Sequence, residues 1–170
     1  LVIKHDGKMQ VVMNGQTKAR GYDLESGAEL WRCGGQTQRP VATPVATEDL
    51  VAVGSGFRGS FLGAFDPSGS GDIEGTRFVA WTIGRDTPDI ASLLLSENRL
   101  YFHKAKTGVI SCVDVASGKP YFLTQRVPAI RTTYASPVAG GGYVYLTGRG
   151  GNTIVIKDSE KFEVVAKNDL

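Results

Sequence analysis

The chain has 170 residues, about the length of one average domain, and its 19 lysines and arginines nearly balance 17 aspartates and glutamates. The basic residues are scattered through predicted turns rather than gathered on one stretch, which argues against nucleic-acid binding. A hydrophobic fraction of 41% argues against a disordered chain, and no apolar run is long enough to predict a membrane-spanning helix. The 22 glycines predict many tight turns.

The start of the chain and its cysteines give little information about compartment. LVIKHDG has no signal-peptide pattern, and the chain begins without Met, so the sequence does not decide export. Cys33 and Cys112 are 79 residues apart. We expect two separate buried thiols, with a disulfide as the alternative.

A ten-residue pattern recurs along the chain with a period of about 45 residues. YDLESGAELW at 22–31 returns as FDPSGSGDIE from Phe65, VDVASGKPYF from Val113 and KDSEKFEVVA from Lys157. The aspartates of these segments are 43, 48 and 44 residues apart: Asp23, Asp66, Asp114 and Asp158. Such regular spacing indicates an internal structural repeat.

Each copy of the repeat predicts four short strands, since β-branched and aromatic runs alternate with turn residues. The first copy, LVIKHDGKMQVVMNG, opens inside the repeat, and the third, SLLLSENRLYFHK, is looser. In the second copy, which begins TPVA, the predicted strands are 45–46, 50–53, 61–65 and 78–82. In the fourth, which begins SPVA, they are 137–139, 143–147, 153–157 and 162–166. DSEKFEVVAK has some helical character, but its register favours a final strand.

Four antiparallel strands in every 40 to 50 residues predict an all-β fold, a β-propeller segment of about four blades. The predicted blades are four-stranded sheets at residues 1–35, 36–84, 85–127 and 128–170. Trp31 is expected on the outermost strand of its blade, where its ring covers the seam to the next blade. We interpret the recurring residues as structural: Asp23, Gly27, Trp31, Pro44, Asp66, Asp114, Gly118, Pro137 and Asp158.

The units resemble the repeats of pyrroloquinoline-quinone-type, or quinoprotein-like, propellers, in which an Ala/Tyr-x-Asp-x-x-x-Gly-x-x-x-Trp docking motif recurs. Residues 22–31 match that motif, and VDVASGKPYF matches with an aromatic residue replacing the tryptophan. The TPV and SPV starts are similar to the family's innermost strands. The resemblance is closest to noncatalytic bacterial members. It implies a piece of a seven- or eight-bladed ring that serves as a periplasmic or extracellular protein-binding scaffold.

The enzymes of this family suggest an alternative, a fragment of a quinone-dependent dehydrogenase whose site lies in other blades. The resemblance implies a quinone held over a tryptophan beneath two adjacent disulfide-bonded cysteines, with calcium and a catalytic aspartate. The chain has no Cys-Cys pair, and neither tryptophan is predicted on an inner strand. We therefore expect no catalytic residue and no cofactor here. Pyrroloquinoline quinone with calcium belongs only to the alternative.

One loop allows a weak metal-site interpretation. In DPSGSGDIEG, four residues with oxygen ligands fall at calcium-loop spacing: Asp66, Ser68, Ser70 and Asp72. Arg77 stands where such a loop needs a bidentate glutamate, so an extended polar hairpin is favoured. His5 and His103 are isolated, and His103 is expected at a strand end.

Surface side chains are the remaining candidates for binding. Arg39, Arg131 and Tyr134 precede predicted innermost strands and should lie near the channel mouth, while Arg58 and Arg85 lie in longer connections. Arginines from successive blades could bind a small anionic ligand or an acidic protein partner, with solvated loop arginines as the alternative. A ligand-sensing domain attached to a larger protein is a further alternative.

The predicted half ring would leave an apolar sheet face open at each end. Two copies could cover each other's open faces and close an eight-bladed ring by two-fold symmetry. A homodimer is therefore one expectation for this chain.

Overall fold

Four β-sheets follow one another along the chain in a computed structural model that describes residues 1–169. The first contains β1 (Val2–His5), β2 (Lys8–Asn14), β3 (Lys18–Asp23) and β4 (Glu29–Gly34). The second contains β5 (Val45–Ala46), β6 (Val51–Ser55), β7 (Phe61–Phe65) and β9 (Val79–Ile83), and β8 (Gly71–Asp72) lies in the connection between β7 and β9. The third contains β10 (Leu94–Ser96), β11 (Arg99–His103), β12 (Val109–Asp114) and β13 (Pro120–Arg126). The fourth contains β14 (Val138–Gly140), β15 (Tyr143–Thr147), β16 (Thr153–Lys157) and β17 (Val164–Asn168).

These sheets, called blades 1 to 4 below, are antiparallel meanders whose strands pair in chain order. The prediction of an all-β propeller segment of about four blades is confirmed. Four predicted strands, 45–46, 61–65, 143–147 and 153–157, have the predicted bounds, and the final segment forms a strand rather than a helix. Within the described range, no helix could cross a membrane.

Blade 1 has a fifth strand, which differs from the expected four. β8 pairs in parallel with β4, so that Gly71 lies opposite Trp31 and Asp72 opposite Arg32. The expected polar hairpin is therefore a connection that crosses to the outer edge of the preceding blade. The reason is the side chain of Ile73, which is buried in the core between blades 1 and 2 and anchors the crossing.

The hydrophobic core lies between adjacent blades, because alternate residues of each strand face opposite neighbours. In β11, Leu100 and Phe102 pack in the cluster shared with blade 2, while Tyr101 packs in the cluster shared with blade 4. Blades 1 and 2 share a third cluster. Each blade is thus stabilised by its neighbours, as in other repeat proteins.

Tryptophans lie at two of the three seams between blades. Trp31 is fully buried, its Nε1 donates to Oε1 of Gln10 at 2.9 Å, and its ring meets Phe65 of blade 2 edge-on at 6.3 Å. Nε2 of Gln10 donates in turn to the carbonyl of Pro67 in blade 2 at 3.2 Å. Trp81 of blade 2 donates from Nε1 to the carbonyl of Val115 in blade 3 at 2.9 Å.

The aspartate turns between the third and fourth strands come in two forms. Asp23 and Asp114 hold their own turns, because Oδ1 of each accepts from a serine N–H at 2.8 Å and from that serine's Oγ at 2.7 and 2.6 Å. Asp158 instead reaches blade 3. It accepts from Nε of Arg99 and from the hydroxyl of Tyr101, both at 2.7 Å, and also from Ser96.

The two cysteines are the separate buried thiols that the sequence led us to expect. Cys33 lies on β4 and Cys112 on β12, and neither forms a disulfide. Burial raises the pKa of Cys33 to about 11 and that of Cys112 to about 12.

Candidate functional site

The connections between strands lie on two opposite faces of the blades, since the meander alternates its turns. On one face, the turns between second and third strands meet the connections between blades. Ala105 N donates to Thr87 O at 2.9 Å, Thr133 N to Lys106 O at 3.0 Å, and Arg149 N to Thr132 O at 2.9 Å. Backbone hydrogen bonds therefore hold loops of blades 2, 3 and 4 in one continuous layer.

The two faces carry opposite charge. This layer consists of seven connections, and we call it the basic face. It contains two anions, Asp86 and Asp89. Against them stand seven cations: Arg39, Arg58, Arg85, Lys104, Lys106, Arg131 and Arg149. The connections at the opposite strand ends, apart from β8 and its neighbour Glu74, form the acidic face. They contain three cations, Arg77, Lys119 and Lys161, and nine anions, Asp6, Glu25, Glu48, Asp49, Asp66, Glu97, Asp158, Glu160 and Glu163. Such separation creates a directional field that attracts anions to one side.

Asp89 is the centre of the basic face. Its side chain is only 4% exposed, although aspartates are rarely buried unless they are paired. Nη2 of Arg39, from the connection between blades 1 and 2, lies 3.3 Å from both Oδ atoms. Nζ of Lys106, from the β11–β12 turn, lies 3.4 Å from Oδ2. One buried carboxylate therefore fixes two cations from different blades.

Aromatic rings extend this cluster in both directions. The guanidinium of Arg39 lies 3.9 Å from the ring centroid of Phe57, and that of Arg58 lies 5.4 Å from the same ring. On the other side, Nζ of Lys106 lies 6.0 Å from the Tyr134 ring, and the Arg149 guanidinium lies 5.0 Å from it. These distances suit cation–π attraction. The basic array is defined by this chain of contacts: Arg58, Phe57, Arg39, Asp89, Lys106, Tyr134 and Arg149.

Four arginines of the basic face form no ion pair within the described residues. In residues 1–169, no carboxylate lies within 4.0 Å of a guanidinium nitrogen of Arg58, Arg85, Arg131 or Arg149. All four residues are exposed. Since an arginine fork binds a carboxylate in a bidentate manner, the array offers donors that its own carboxylate does not use.

The structure brings together three of the five surface residues selected from the sequence. Arg39, Arg58 and Tyr134 belong to the basic array, whereas Arg85 and Arg131 lie on the same face outside its chain of contacts. The sequence reasoning missed four members, Phe57, Asp89, Lys106 and Arg149. Lys106 and Arg149 could have been found from the repeat. The turns between the second and third strands of blades 2, 3 and 4 each carry at least one cation, in GFRGS, KAKTG and GRGGN.

A cleft of about 690 Å³ lies away from the basic array, between the outer strands of blades 2 and 3. Ile83, Phe102 and Leu123 line it, and Arg85 and Asp86 stand at one end. Arg85 is the one cation among its lining residues, whereas the array gathers Arg39, Arg58, Lys106 and Arg149, so we place the candidate site at the array rather than in the cleft.

The weak metal-site residues do not converge. Oδ2 of Asp72 accepts from Nζ of Lys18 at 2.6 Å, and this hydrogen bond lowers the pKa of Asp72. Oδ1 of Asp66 accepts from Ser68 N at 2.9 Å. His103 is the last residue of β11 and is fully buried. Across residues 1–169, no three His, Cys, Asp or Glu side chains are grouped to hold a metal ion.

The residues present do not fit a quinone cofactor. Cys33 and Cys112 are buried on different blades, so they cannot form the adjacent pair that the family resemblance implies. The indoles of Trp31 and Trp81 are both engaged at seams between blades, through hydrogen bonds to Gln10 and Val115. Neither indole is available as a platform for the quinone.

Comparisons with known proteins identify the fold. No family model and no curated protein matches the chain. BamB from Moraxella catarrhalis is 18% identical with a TM-score of 0.67, over 98% of this chain and 50% of that one. The computationally designed protein Ika8 is 12% identical with a TM-score of 0.67, over 97% and 51%.

Enzymes share the same fold. The quinohemoprotein alcohol dehydrogenase from Pseudomonas putida HK5 is 14% identical with a TM-score of 0.70, over 99% of this chain and 33% of that one. The chain thus spans 33% to 51% of the length of these proteins. It has the β-propeller repeat fold of quinoprotein-like proteins.

Proposed function

We propose that the chain is a noncatalytic propeller scaffold that binds an acidic segment of a partner protein on its basic face. The observation that carries the proposal is the basic array, where Asp89 fixes Arg39 and Lys106 while the guanidinium groups of Arg58 and Arg149 form no ion pair within residues 1–169. A binding surface of this kind needs donors held in place before the ligand arrives. The buried carboxylate and the two rings supply that order.

An acidic peptide fits the array better than a small anion does. The contacts run from Arg58 in blade 2, through Asp89, to Arg149 in blade 4, so the donors lie along three blades. A single small anion would reach only one or two of these forks. A segment with several carboxylates can satisfy them together.

The dehydrogenase alternative is less well supported. Its fold likeness covers 33% of the alcohol dehydrogenase chain, and the cysteines and tryptophans here do not fit the quinone. An exported location, periplasmic or extracellular, is part of the proposal on the family resemblance alone.

The test is binding of a fluorescein-labelled peptide of alternating Glu and Gly, measured by fluorescence anisotropy at low salt. The double variant Arg58→Ala with Arg149→Ala should weaken binding at least about 10-fold, because it removes two charge-assisted contacts. The matched control is Arg77→Ala, since Arg77 is an exposed arginine 4.7 Å from the Phe78 ring but lies on the acidic face.

Three outcomes would contradict the proposal. One is no binding to the Glu peptide, and another is equal weakening by the control variant. The third is tighter binding of a single-stranded oligonucleotide of the same charge, which would assign the alternating cations and rings to nucleic acid instead.

A further inference from the structure

The outer strand of blade 1 is covered by a segment that has no counterpart on blade 2. β8 pairs in parallel with β4, the carbonyl of Arg32 accepts from Ile73 N at 3.0 Å, and the Ile73 side chain is buried in the seam. This segment belongs to the connection between β7 and β9, residues 66–78. The corresponding connection of blade 3, residues 115–119, is a tight turn. Within residues 1–169, no strand pairs with the outer edge of β9.

The strand register shows that β9 in blade 2 corresponds to β4 in blade 1. Trp31 and Trp81 hold the same position in the two strands, beside the same bulge, and Cys33 and Ile83 follow two residues later. Ile73 packs with Trp31 and Cys33, which are 0% and 2% exposed. Trp81 and Ile83 are only partly buried, as expected for positions that no such segment covers.

The cleft of about 690 Å³ lies at the place in the seam between blades 2 and 3 that corresponds to the place of Ile73. At the seam between blades 1 and 2, the rings of Phe61 and Phe65 stack at 6.3 Å and fill the space beside β4. The corresponding residues of blade 3 are the smaller Val109 and Val113. Two smaller side chains and the lack of a segment like β8 together explain the cleft.

Arg85 gives the cleft a charged end. It is exposed, and no carboxylate of residues 1–169 lies within 4.0 Å of its guanidinium nitrogens. The neighbouring Asp86 pairs with Nζ of Lys104 at 2.7 Å, so that its charge is compensated. A ligand in the cleft would therefore meet apolar side chains and one uncompensated positive charge, an arrangement that is complementary to an apolar group followed by a carboxylate.

β8 shows that a peptide segment can present these two groups in the right order. In blade 1 the residue after Ile73 is Glu74, and its carboxylate lies against Gly34. By the register, Gly84 corresponds to Gly34, and Arg85 follows it directly. An acidic residue that follows an apolar residue along the edge of β9 would thus lie beside the Arg85 side chain.

We propose that the cleft binds an extended segment of a partner protein, which pairs in parallel with β9 and places an apolar side chain in the cleft and a following Asp or Glu on Arg85. The backbone edge of β9 favours a peptide over a small molecule with the same carboxylate. By the register with Arg32, the carbonyl of Thr82 points to the open edge, where it can accept a hydrogen bond. Strand addition of this kind takes affinity from main-chain hydrogen bonds and specificity from side-chain pockets.

The test uses the chain's own segment as the probe. A capped, fluorescein-labelled peptide of residues 68–76, SGSGDIEGT, is titrated to about 1 mM and followed by fluorescence anisotropy. The same segment already covers blade 1 within the protein, so the free peptide should add to blade 2. We expect saturable binding. The peptide with serine in place of its isoleucine should bind at least about 10-fold more weakly, because it has no apolar side chain for the cleft.

Variants of the protein test the two ends of the cleft. Leu123→Asp should weaken binding at least about 10-fold, because it places a charge among the apolar lining residues. Leu24→Asp is the matched control, since Leu24 is 46% exposed on the acidic face, against 39% for Leu123, and should leave binding unchanged. Arg85→Ala should weaken binding about 3- to 10-fold. Circular dichroism confirms that each variant remains folded.

Amide chemical shifts show where the peptide binds. We expect the N–H signals of Thr82 and Ile83 to move on titration. Shifts at Arg32 in β4 instead would overturn the proposal, because the peptide would then be replacing β8. No saturable binding, equal binding of the serine peptide, or binding that Leu123→Asp leaves intact would also overturn it.

The cleft goes beyond the peptide site proposed on the basic array, because no residue of the array lines it. The double variant Arg58→Ala with Arg149→Ala should therefore leave binding of the isoleucine peptide unchanged while it weakens binding of the Glu peptide. Weaker binding of the isoleucine peptide by this double variant would place that peptide on the array and overturn the proposal. The two proposals thus fail separately.

Discussion

The indole ring of Trp81 lies directly over Gly118 of the next blade. A methyl group at Gly118 would lie 2.7 Å from two carbon atoms of that ring. Gly118 also has a φ of +69°, which side chains rarely adopt. Glycine at this position therefore allows both the left-handed turn and the close contact with the tryptophan across the seam.

Gly118→Ala should lower the free energy of unfolding by about 2 to 4 kcal/mol, through the turn conformation and the displaced indole together. Gly27→Ala separates the two causes, because Gly27 occupies the same turn in blade 1 with a φ of +71° and nothing within 4 Å of the added methyl. Urea unfolding followed by fluorescence measures both variants. Equal losses would contradict the indole contact.

Asp158 should make stability depend on acid pH. Burial opposes its charged form, but hydrogen bonds from Arg99, Ser96 and Tyr101 outweigh burial and lower the pKa of Asp158 below 3.8. Since the folded-state pKa is the lower one, the stabilisation is complete above the unfolded-state pKa and is lost as pH falls through the folded-state pKa.

Asp158→Asn should therefore cost about 2 kcal/mol near neutral pH, and the difference from the natural chain should shrink as pH falls below about 4. Unfolding curves measured from pH 7 to pH 2.5 test this. Asp49→Asn, at an exposed aspartate on the acidic face, should follow the natural curve. A pH-independent difference for Asp158→Asn would contradict the assignment.

Asp89 should stabilise the fold and support peptide binding at the same time. Asp89→Asn should lower the free energy of unfolding by about 1 to 2 kcal/mol, a modest loss because Arg39 and Lys106 are partly exposed. It should also weaken binding of the Glu peptide, because Arg39 and Lys106 lose the carboxylate that holds them in place.

The matched control for Asp89 is Asp86→Asn. Asp86 pairs with the exposed Lys104 at 2.7 Å on the same face, so its loss should cost less than about 1 kcal/mol. Thermal unfolding and peptide anisotropy give the two readouts. Stronger peptide binding by Asp89→Asn would contradict the positioning role of the carboxylate.

Both thiols should be unreactive in the folded protein. Burial raises the pKa of Cys33 to about 11 and that of Cys112 to about 12, so neither thiolate is available at neutral pH. A thiol reagent should modify neither within an hour under native conditions and both after unfolding in urea. Rapid labelling of one thiol in the native protein would contradict its burial.

The sequence predicted the blades well because the information is local. Phe61–Phe65 and Tyr143–Thr147 are short apolar or aromatic runs between turn residues, and both strands have the predicted bounds. β8 could not be predicted, since Gly71 and Asp72 have low strand propensity and pair only because the edge of blade 1 lies beside them.

The site was predicted only in part for a related reason. Arg39, Arg58 and Tyr134 stand out in their loops as charged or aromatic residues. Asp89 does not, because its burial depends on Arg39, 50 residues earlier in the chain, and on Lys106 in another blade. Contacts between loops of different blades leave no periodic signal in one sequence.

β8 should also affect how the protein unfolds. Because a piece of the second blade is hydrogen-bonded along the edge of β4, blade 1 cannot detach while blade 2 stays folded without breaking that pairing. Hydrogen exchange should therefore report blades 1 and 2 as one cooperative unit, with Ile73 N–H as slow as the strands on either side. The same pairing occupies an edge strand that would otherwise be open to aggregation.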